Sequence, residues 1–249
     1  MSDLILSLLL GLLQGLTEFL PISSSAHLLL PELIFDYNDL GLSFDIAVHA
    51  GTLVAVIYFF RLEVINMTKS FFVNDRNYNK HKQLALYLII ATLPIVFVGF
   101  GFADMLEQRV FSEKLIIAIS NLFFAAILFI AFIKRKEDKS LFELTLYGAL
   151  LIGFFQCFAL IPGASRSGTA ITAALLIGMN LKDASKFSFM LGIPTILGAL
   201  VLLIIQIQTL GIDYNYIHLM IGFFVSMIFA FFTIKLFLDF VEKIGMTPF

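Results

Sequence analysis

The stretch Gln14-Gly-Leu-Thr-Glu-Phe-Leu-Pro-Ile-Ser-Ser-Ser-Ala-His27 breaks an otherwise apolar run that extends from Leu4 to Phe35. Uninterrupted, that run would be ample for one membrane crossing, which needs about 20 apolar residues. With a proline, three serines, a glutamate and a histidine in its middle, each half is too short to span. Such backbone is tolerated at membrane depth only where it is buried in protein or lines a wet cavity. The segment therefore predicts a re-entrant hairpin, two short helices meeting at a break inside the bilayer.

Working outward, the same pattern recurs. Pro162-Gly-Ala-Ser-Arg-Ser-Gly168 interrupts the apolar region Leu141–Met179. Five plain apolar runs surround the two breaks, at Phe44–Phe60, Leu84–Phe102, Leu115–Ile133, Phe187–Gln206 and Ile217–Leu238. Of the 249 residues 60% are hydrophobic and 14% charged, and the mean hydropathy of +0.98 is far above that of a soluble domain. The sequence predicts an all-α, polytopic membrane protein with about five full crossings and two re-entrant hairpins. A net charge of −2 offers no basic field for nucleic acid. The single cysteine, Cys157, excludes an internal disulfide and a metal-binding cysteine set, and reads as a small buried thiol. The amino terminus lacks a basic region, and its first apolar run contains a glutamate and ends in proline and serines, so no cleavable signal peptide is expected.

Loop charge gives orientation. Arg61, Lys69, Arg76, Lys80 and Lys82 crowd one loop, and Lys134, Arg135, Lys136 and Lys139 another. Both read as cytoplasmic by the positive-inside rule. The segments around Asp36, Asp39 and Asp213 carry no Lys or Arg and fall outside. The first hairpin then enters from the outer face and the second from the cytoplasmic face. A weak internal repeat agrees: Gln14, Pro21, Ser24, Phe44 and Thr52 match Gln156, Pro162, Ser165, Phe187 and Thr195 at an offset of 141–143 residues. We expect a single membrane domain with repeat one over about 1–110, a linking helix over about 111–135 and repeat two over about 141–249. Inverted repeats with broken helices place a site near the midplane, in transporters as well as in enzymes.

Ionisable groups within a membrane are costly and mark function. Gln14 and Glu18 are four apart and share a helix face. Ser23, Ser24 and Ser25 open the second half-helix, whose free N–H groups make an anion site. His27 lies one turn beyond Ser24. Capping explains one or two of the serines, but not Glu18 and His27 in the same hairpin. In the second break, Arg166 between Ser165 and Ser167, followed by Gly168 and Thr169, needs an anionic partner, and its fork matches phosphate or carboxylate oxygens. An ion pair with Glu18 could hold the site closed until substrate arrives. Carboxylate, hydroxyls, imidazole, arginine and helix N-termini together are the equipment for phosphoryl transfer. A lipid or anion transporter would use the cradle and the arginine without needing the serine–histidine pair. An intramembrane serine protease would need a Gly-x-Ser-Gly pattern that is missing. Asp45 and His49 read equally well as site entrance or interfacial pair, His218 as interfacial, and Lys235 as snorkelling.

At these two motifs the chain resembles the undecaprenyl-diphosphate phosphatase family of bacitracin-resistance membrane enzymes, and the similarity covers essentially the whole sequence. The resemblance implies hydrolysis of undecaprenyl diphosphate to the monophosphate carrier, which feeds peptidoglycan and other envelope polymers. It also implies a bacterial cytoplasmic membrane location, a site open to the outer face, a divalent cation (Mg2+ or Ca2+), and a possible homodimer. Glu18, Ser24 and His27 match the family's catalytic glutamate, nucleophilic serine and motif histidine, and Arg166 its phosphate-binding arginine. Ser165, Ser23, Ser25, Ser167 and Gly168 are expected to line the substrate site, and Glu18 with Gln14 to hold the metal. Whether serine or histidine attacks phosphorus stays open. Gln14 stands where the family often has glutamate, and Ala26 where it usually has glycine. Most members continue past a Pro-Phe into one further helix; here Pro248-Phe249 ends the sequence.

Overall fold

The computed structural model describes residues 3–35, 40–73, 75–102, 114–210 and 215–249. Asp36, Asp39 and Asp213, used above to assign the outer face, lie outside these. The described residues are helical almost throughout, joined by short turns. The first break separates α1 (Asp3–Thr17) from α2 (Ser24–Phe35). Then come α3 (Leu42–Phe59), a short α4 (Arg61–Lys69), α5 (Asn79–Gly101) and α6 (Lys114–Lys134). The second break separates α7 (Leu146–Gln156) from α8 (Arg166–Leu176), and α9 (Leu181–Leu210) and α10 (Tyr216–Ile244) complete the chain. Among the described residues α3, α5, α6, α9 and α10 are the five helices long and apolar enough to cross a membrane.

The ends of α5, α9 and α10 run beyond the apolar stretches that forecast them. Helix α5 starts at Asn79 and not Leu84, α9 at Leu181 and not Phe187, and α10 continues past Leu238 to Ile244. These extra turns are polar, and hydropathy cannot report helix where it leaves the hydrocarbon.

The two basic segments meet on one face. Lys80 lies over the Phe142 ring at 5.9 Å and His81 packs edge-on against it. The start of α9 and the end of α10 join them there through Lys182 Nζ donating to Glu242 at 2.7 Å. Close contacts fix helix direction relative to this face. Gly11 lies against Gly222 and Gly15 against Ser226, while Phe44 meets Gly222 and Gly51 meets Phe223. Helices α1, α3 and α10 therefore run side by side toward the basic face. At Gly51 a Cβ would stand 2.3 Å from the Phe223 carbonyl, so only glycine permits this approach. Helix α7 packs on α5 with Gly153 against Ala91 and Leu160 near Gly99, and both run away from the basic face. Both ends of the second hairpin are tied at that face. Lys139 N donates to Gly178 O at 3.0 Å and Asn180 N to Lys139 O at 2.9 Å. The hairpin enters and leaves by the same side. Phe97, Phe100 and Leu122 point outward, as lipid contact requires, while Phe19, Phe187, Phe189, Met190 and Ile234 fill the interior.

Candidate active site

The two breaks touch each other. The hydroxyls of Ser165 and Ser167 both reach the Leu20 carbonyl, at 3.2 and 2.8 Å. A Cβ on Gly168 would lie 3.3 Å from Pro21, so the helix start sits directly against the first break. With 11 residues in α8, this junction is about 16 Å along the helix from the basic face.

Glu18 is the hub. Its side chain is 6% exposed and that of Arg166 12%, with Arg166 Nη2 donating to Glu18 Oε1 at 3.1 Å. The other carboxylate oxygen, Oε2, accepts from Ser24 Oγ at 2.7 Å and from Gln14 Nε2 at 2.9 Å. The shared face expected of Gln14 and Glu18 is thus present. Of the two candidate bases for Ser24, Glu18 is the one bonded to its hydroxyl. His27 instead turns Nδ1 to the Ser23 carbonyl at 2.8 Å. A carbonyl only accepts, so Nδ1 carries a proton, and Nε2 is the ring nitrogen left to face the site. Ser23 is buried and adopts φ +61, a conformation an ordinary side chain disfavours. That bend turns the chain into α2 and sets Ser24 facing back toward Glu18. Ser25 is exposed and contacts Ser23 Oγ at 3.2 Å, on the open side of the break.

Arg166 is held by more than its partner. Nη1 donates to Ser188 O at 3.3 Å, and the guanidinium lies 5.9 Å over the Phe19 ring. Beneath it is Gly192 on α9, where a Cβ would come within 2.8 Å of Nη1 and 2.9 Å of Nη2. Arg166 Nε is buried with no acceptor, a donor pre-set for an incoming anion. Around it the frame is closed. Ser165 caps α8 by accepting from Gly168 N at 3.1 Å, and Ser188 Oγ donates to Ser167 O at 3.2 Å. From the linking helix, Ser120 Oγ donates to Pro162 O at 2.5 Å, alongside Gly163 at φ +97. The hydroxyls expected to line the substrate site in this break, those of Ser165 and Ser167, are engaged in bonds that join the hairpins.

Sequence reasoning left His49 undecided. It lies on α3 with Nε2 3.9 Å from Glu18 Oε2, and its Nδ1 donates to Asp45 O at 2.7 Å. Ser120, Ser188, Gly192 and Phe19 were not singled out, since nothing in their local sequence distinguishes them from packing residues. For a metal, Glu18 supplies one carboxylate, and Gln14 Oε1 is a buried oxygen with no hydrogen-bond partner. Among the described residues no group of three His, Cys, Asp or Glu is placed to hold a metal ion. This donor set fits a hard cation that completes its shell with substrate phosphate oxygens, not a closed protein cage.

The geometry agrees with what the chain is related to. An undecaprenyl-diphosphatase of Alcanivorax borkumensis is 45% identical over 247 residues, which is 98% of this chain and 92% of that relative. Another undecaprenyl-diphosphatase, from Saccharophagus degradans, is 42% identical over 251 residues, covering 99% of this chain and 93% of its own length. The family described as bacitracin resistance protein BacA matches residues 7–249, and the chain belongs to that family.

Proposed function

We propose that this protein hydrolyses undecaprenyl diphosphate to undecaprenyl phosphate and inorganic phosphate, renewing the lipid carrier used in peptidoglycan and envelope polymer synthesis. Membership of the family and two relatives bearing the name undecaprenyl-diphosphatase support the reaction. The observation that carries it is the chain of contacts Ser24–Glu18–Arg166, which joins a nucleophile, a base and a phosphate-binding cation across the two breaks.

The steps follow from these contacts. The diphosphate takes the place of Glu18 on Arg166, using the free Nε and the Nη groups as a fork. Glu18 Oε2 receives the Ser24 proton as Oγ attacks the terminal phosphorus. The P–O bond to the bridging oxygen breaks and undecaprenyl phosphate departs with that electron pair. Water then cleaves the Oγ–P bond to release phosphate, giving one proton to His27 Nε2, while protonated Glu18 returns to Ser24 Oγ the proton it took. Arg166 and the start of α8 offset the negative charge of the transferring group. A divalent cation, Mg2+ or Ca2+, held by Gln14 and Glu18 together with the diphosphate, would neutralise further phosphate charge.

We place the protein in the bacterial cytoplasmic membrane with the basic face inward. The site would then open to the outer face, and the two halves form inverted repeats. The parallel course of α1 with α3 and α10, against that of α7 with α5, supports that symmetry. Association as a homodimer is part of the same reading.

The test is phosphate release from undecaprenyl diphosphate by the purified protein in detergent, wild type beside Ser24→Ala. Release by the wild type and a loss of at least about 100-fold in the variant is the expected result. Release by both would transfer the attack to His27 or water. Release by neither, from folded protein, would overturn the assigned reaction.

A further inference from the structure

The other end of α8 carries a second arrangement that the reaction does not use. Where the C-terminal ends of α6 and α8 meet the connecting segment there is a cavity of about 190 Å³. Lys134, Lys136, Asp138, Lys139, Leu175 and Leu176 are among its lining residues. Lys139 Nζ donates to the Ile177 carbonyl at 2.7 Å and so closes the end of α8. The neighbouring Arg135 is occupied, paired with Glu137 at 2.8 Å and stacked on Phe132 at 3.9 Å. Among the described residues Lys134 and Lys136 have no carboxylate partner. Asp138 fills the space that a side chain on Gly178 would take. Three lysines against one aspartate leave the lining with a net charge of +2. Leu176, in the lining, and Ile133, next to Lys134 in the chain, are exposed apolar side chains.

A cavity with free ammonium groups beside exposed apolar side chains matches one kind of molecule. Its occupant must be anionic at one end and apolar at the other. We infer that this cavity holds the phosphate headgroup of an anionic phospholipid, with Lys134 and Lys136 on the phosphate and the acyl chains lying along Leu176 and Ile133. Basic pockets between helices at a membrane face recognise such headgroups. Desolvation beside hydrocarbon strengthens the attraction over that of a surface pair in water. Asp138 disfavours a second negative charge, so the site prefers a phosphodiester to a phosphomonoester. The site is distinct from the catalytic one, at the opposite end of an 11-residue helix from Arg166. It depends on the chain spanning a membrane and not on the chemistry proposed above.

The test is native mass spectrometry of the full chain in detergent with phosphatidylglycerol, phosphatidylcholine, or inorganic phosphate added separately. Phosphatidylglycerol should be retained in preference to phosphatidylcholine, and its affinity should fall about 30-fold in the Lys134→Gln/Lys136→Gln protein. The Lys134→Arg/Lys136→Arg protein, which keeps the charge, should bind as the wild type does. Phosphate release should be unchanged in both variants. Equal retention of the two lipids, or undiminished phosphatidylglycerol binding by the glutamine variant, would overturn the proposal. Binding of inorganic phosphate as tight as that of the lipid would make this a free-anion site and overturn it equally.

Discussion

The two breaks look alike in sequence, each with a proline, serines and an ionisable group, yet they are built in opposite ways. In the first, the side chains stay partly open, where the proposed reaction would take place. Ser24 is half-buried, Ser25 exposed, and His27 keeps one ring nitrogen unengaged. Its backbone carries the distortion, at Ser23. In the second, the side chains serve the frame. Ser165 and Ser167 bond the Leu20 carbonyl, Ser120 and Ser188 hold the break from outside, and helix α8 is buried along nearly its whole length. Arg166 reaches from that frame to a side chain of the first break, the Glu18 carboxylate. In the proposed reaction one break supplies the reagents and the other fixes a single charge among them. Two sequences with the same punctuation thus diverge according to where their hydroxyls find acceptors.

The largest effects should come from the ion pair that joins the breaks. Arg166→Met leaves Glu18 buried without its cation, and Glu18→Gln leaves Arg166 without its anion. Each should abolish phosphate release and destabilise the protein by about 3–5 kcal/mol. The double variant should recover most of that stability with no activity, as read from thermal unfolding in detergent beside the phosphate assay. Recovery of turnover in the double variant would mean that the breaks do not divide the work as described. Next in size is Gly192→Ala. The three atoms its methyl group meets first are all in the Arg166 guanidinium, so the fold should tolerate it while the guanidinium shifts. Turnover should fall about 10- to 100-fold with little change in unfolding temperature. An unfolding temperature that dropped while turnover held would show the shelf to be packing only.

Ser167→Ala sharpens the comparison from the frame side. It removes one of the two serine hydrogen bonds to the Leu20 carbonyl and should cost about 1 kcal/mol of stability while leaving turnover within a few-fold. A collapse of activity would place Ser167 among the reagents. The smallest effect concerns the turn that leads into the second hairpin. The Ser140 hydroxyl and amide both donate to Glu143, at 2.7 Å each, and hold its carboxyl below the usual carboxylate range. A depressed pKa contributes stability that is complete above the unfolded value and lost as pH falls through the folded one. Glu143 is exposed, so acidification should loosen only residues 140–143. Local hydrogen exchange should register the change, and Ser140→Ala should erase it.

Much of this was legible before any coordinates. Long apolar runs announced the crossings, and the paired breaks announced hairpins, because hydrocarbon leaves unsatisfied backbone few alternatives. Glu18, Ser24 and Arg166 stood out because charge and hydroxyl are rare in such surroundings. His49 did not resolve, since one imidazole four residues from an aspartate looks the same at an interface as at a site. It becomes informative only when α3 brings it beside Glu18. Gly192 and Ser120 act through room and through a backbone carbonyl, and neither leaves a trace in local pattern. Their meaning depends on partners that the fold brings from 26 and 42 residues away, at Arg166 and Pro162.

The bond between Arg166 and Glu18 spans 148 residues of chain, and that separation is also an interval of time. At a synthesis rate of about 5–20 residues per second, the arginine emerges roughly 7–30 s after the glutamate. Throughout that interval the first hairpin has to keep a carboxylate in the membrane without the cation that will later match it. Gln14 and Ser24, its two other hydrogen-bonding partners, belong to the same hairpin. The contacts proposed to prepare Ser24 for attack are therefore also the ones able to shelter Glu18 while the nascent protein is still half made.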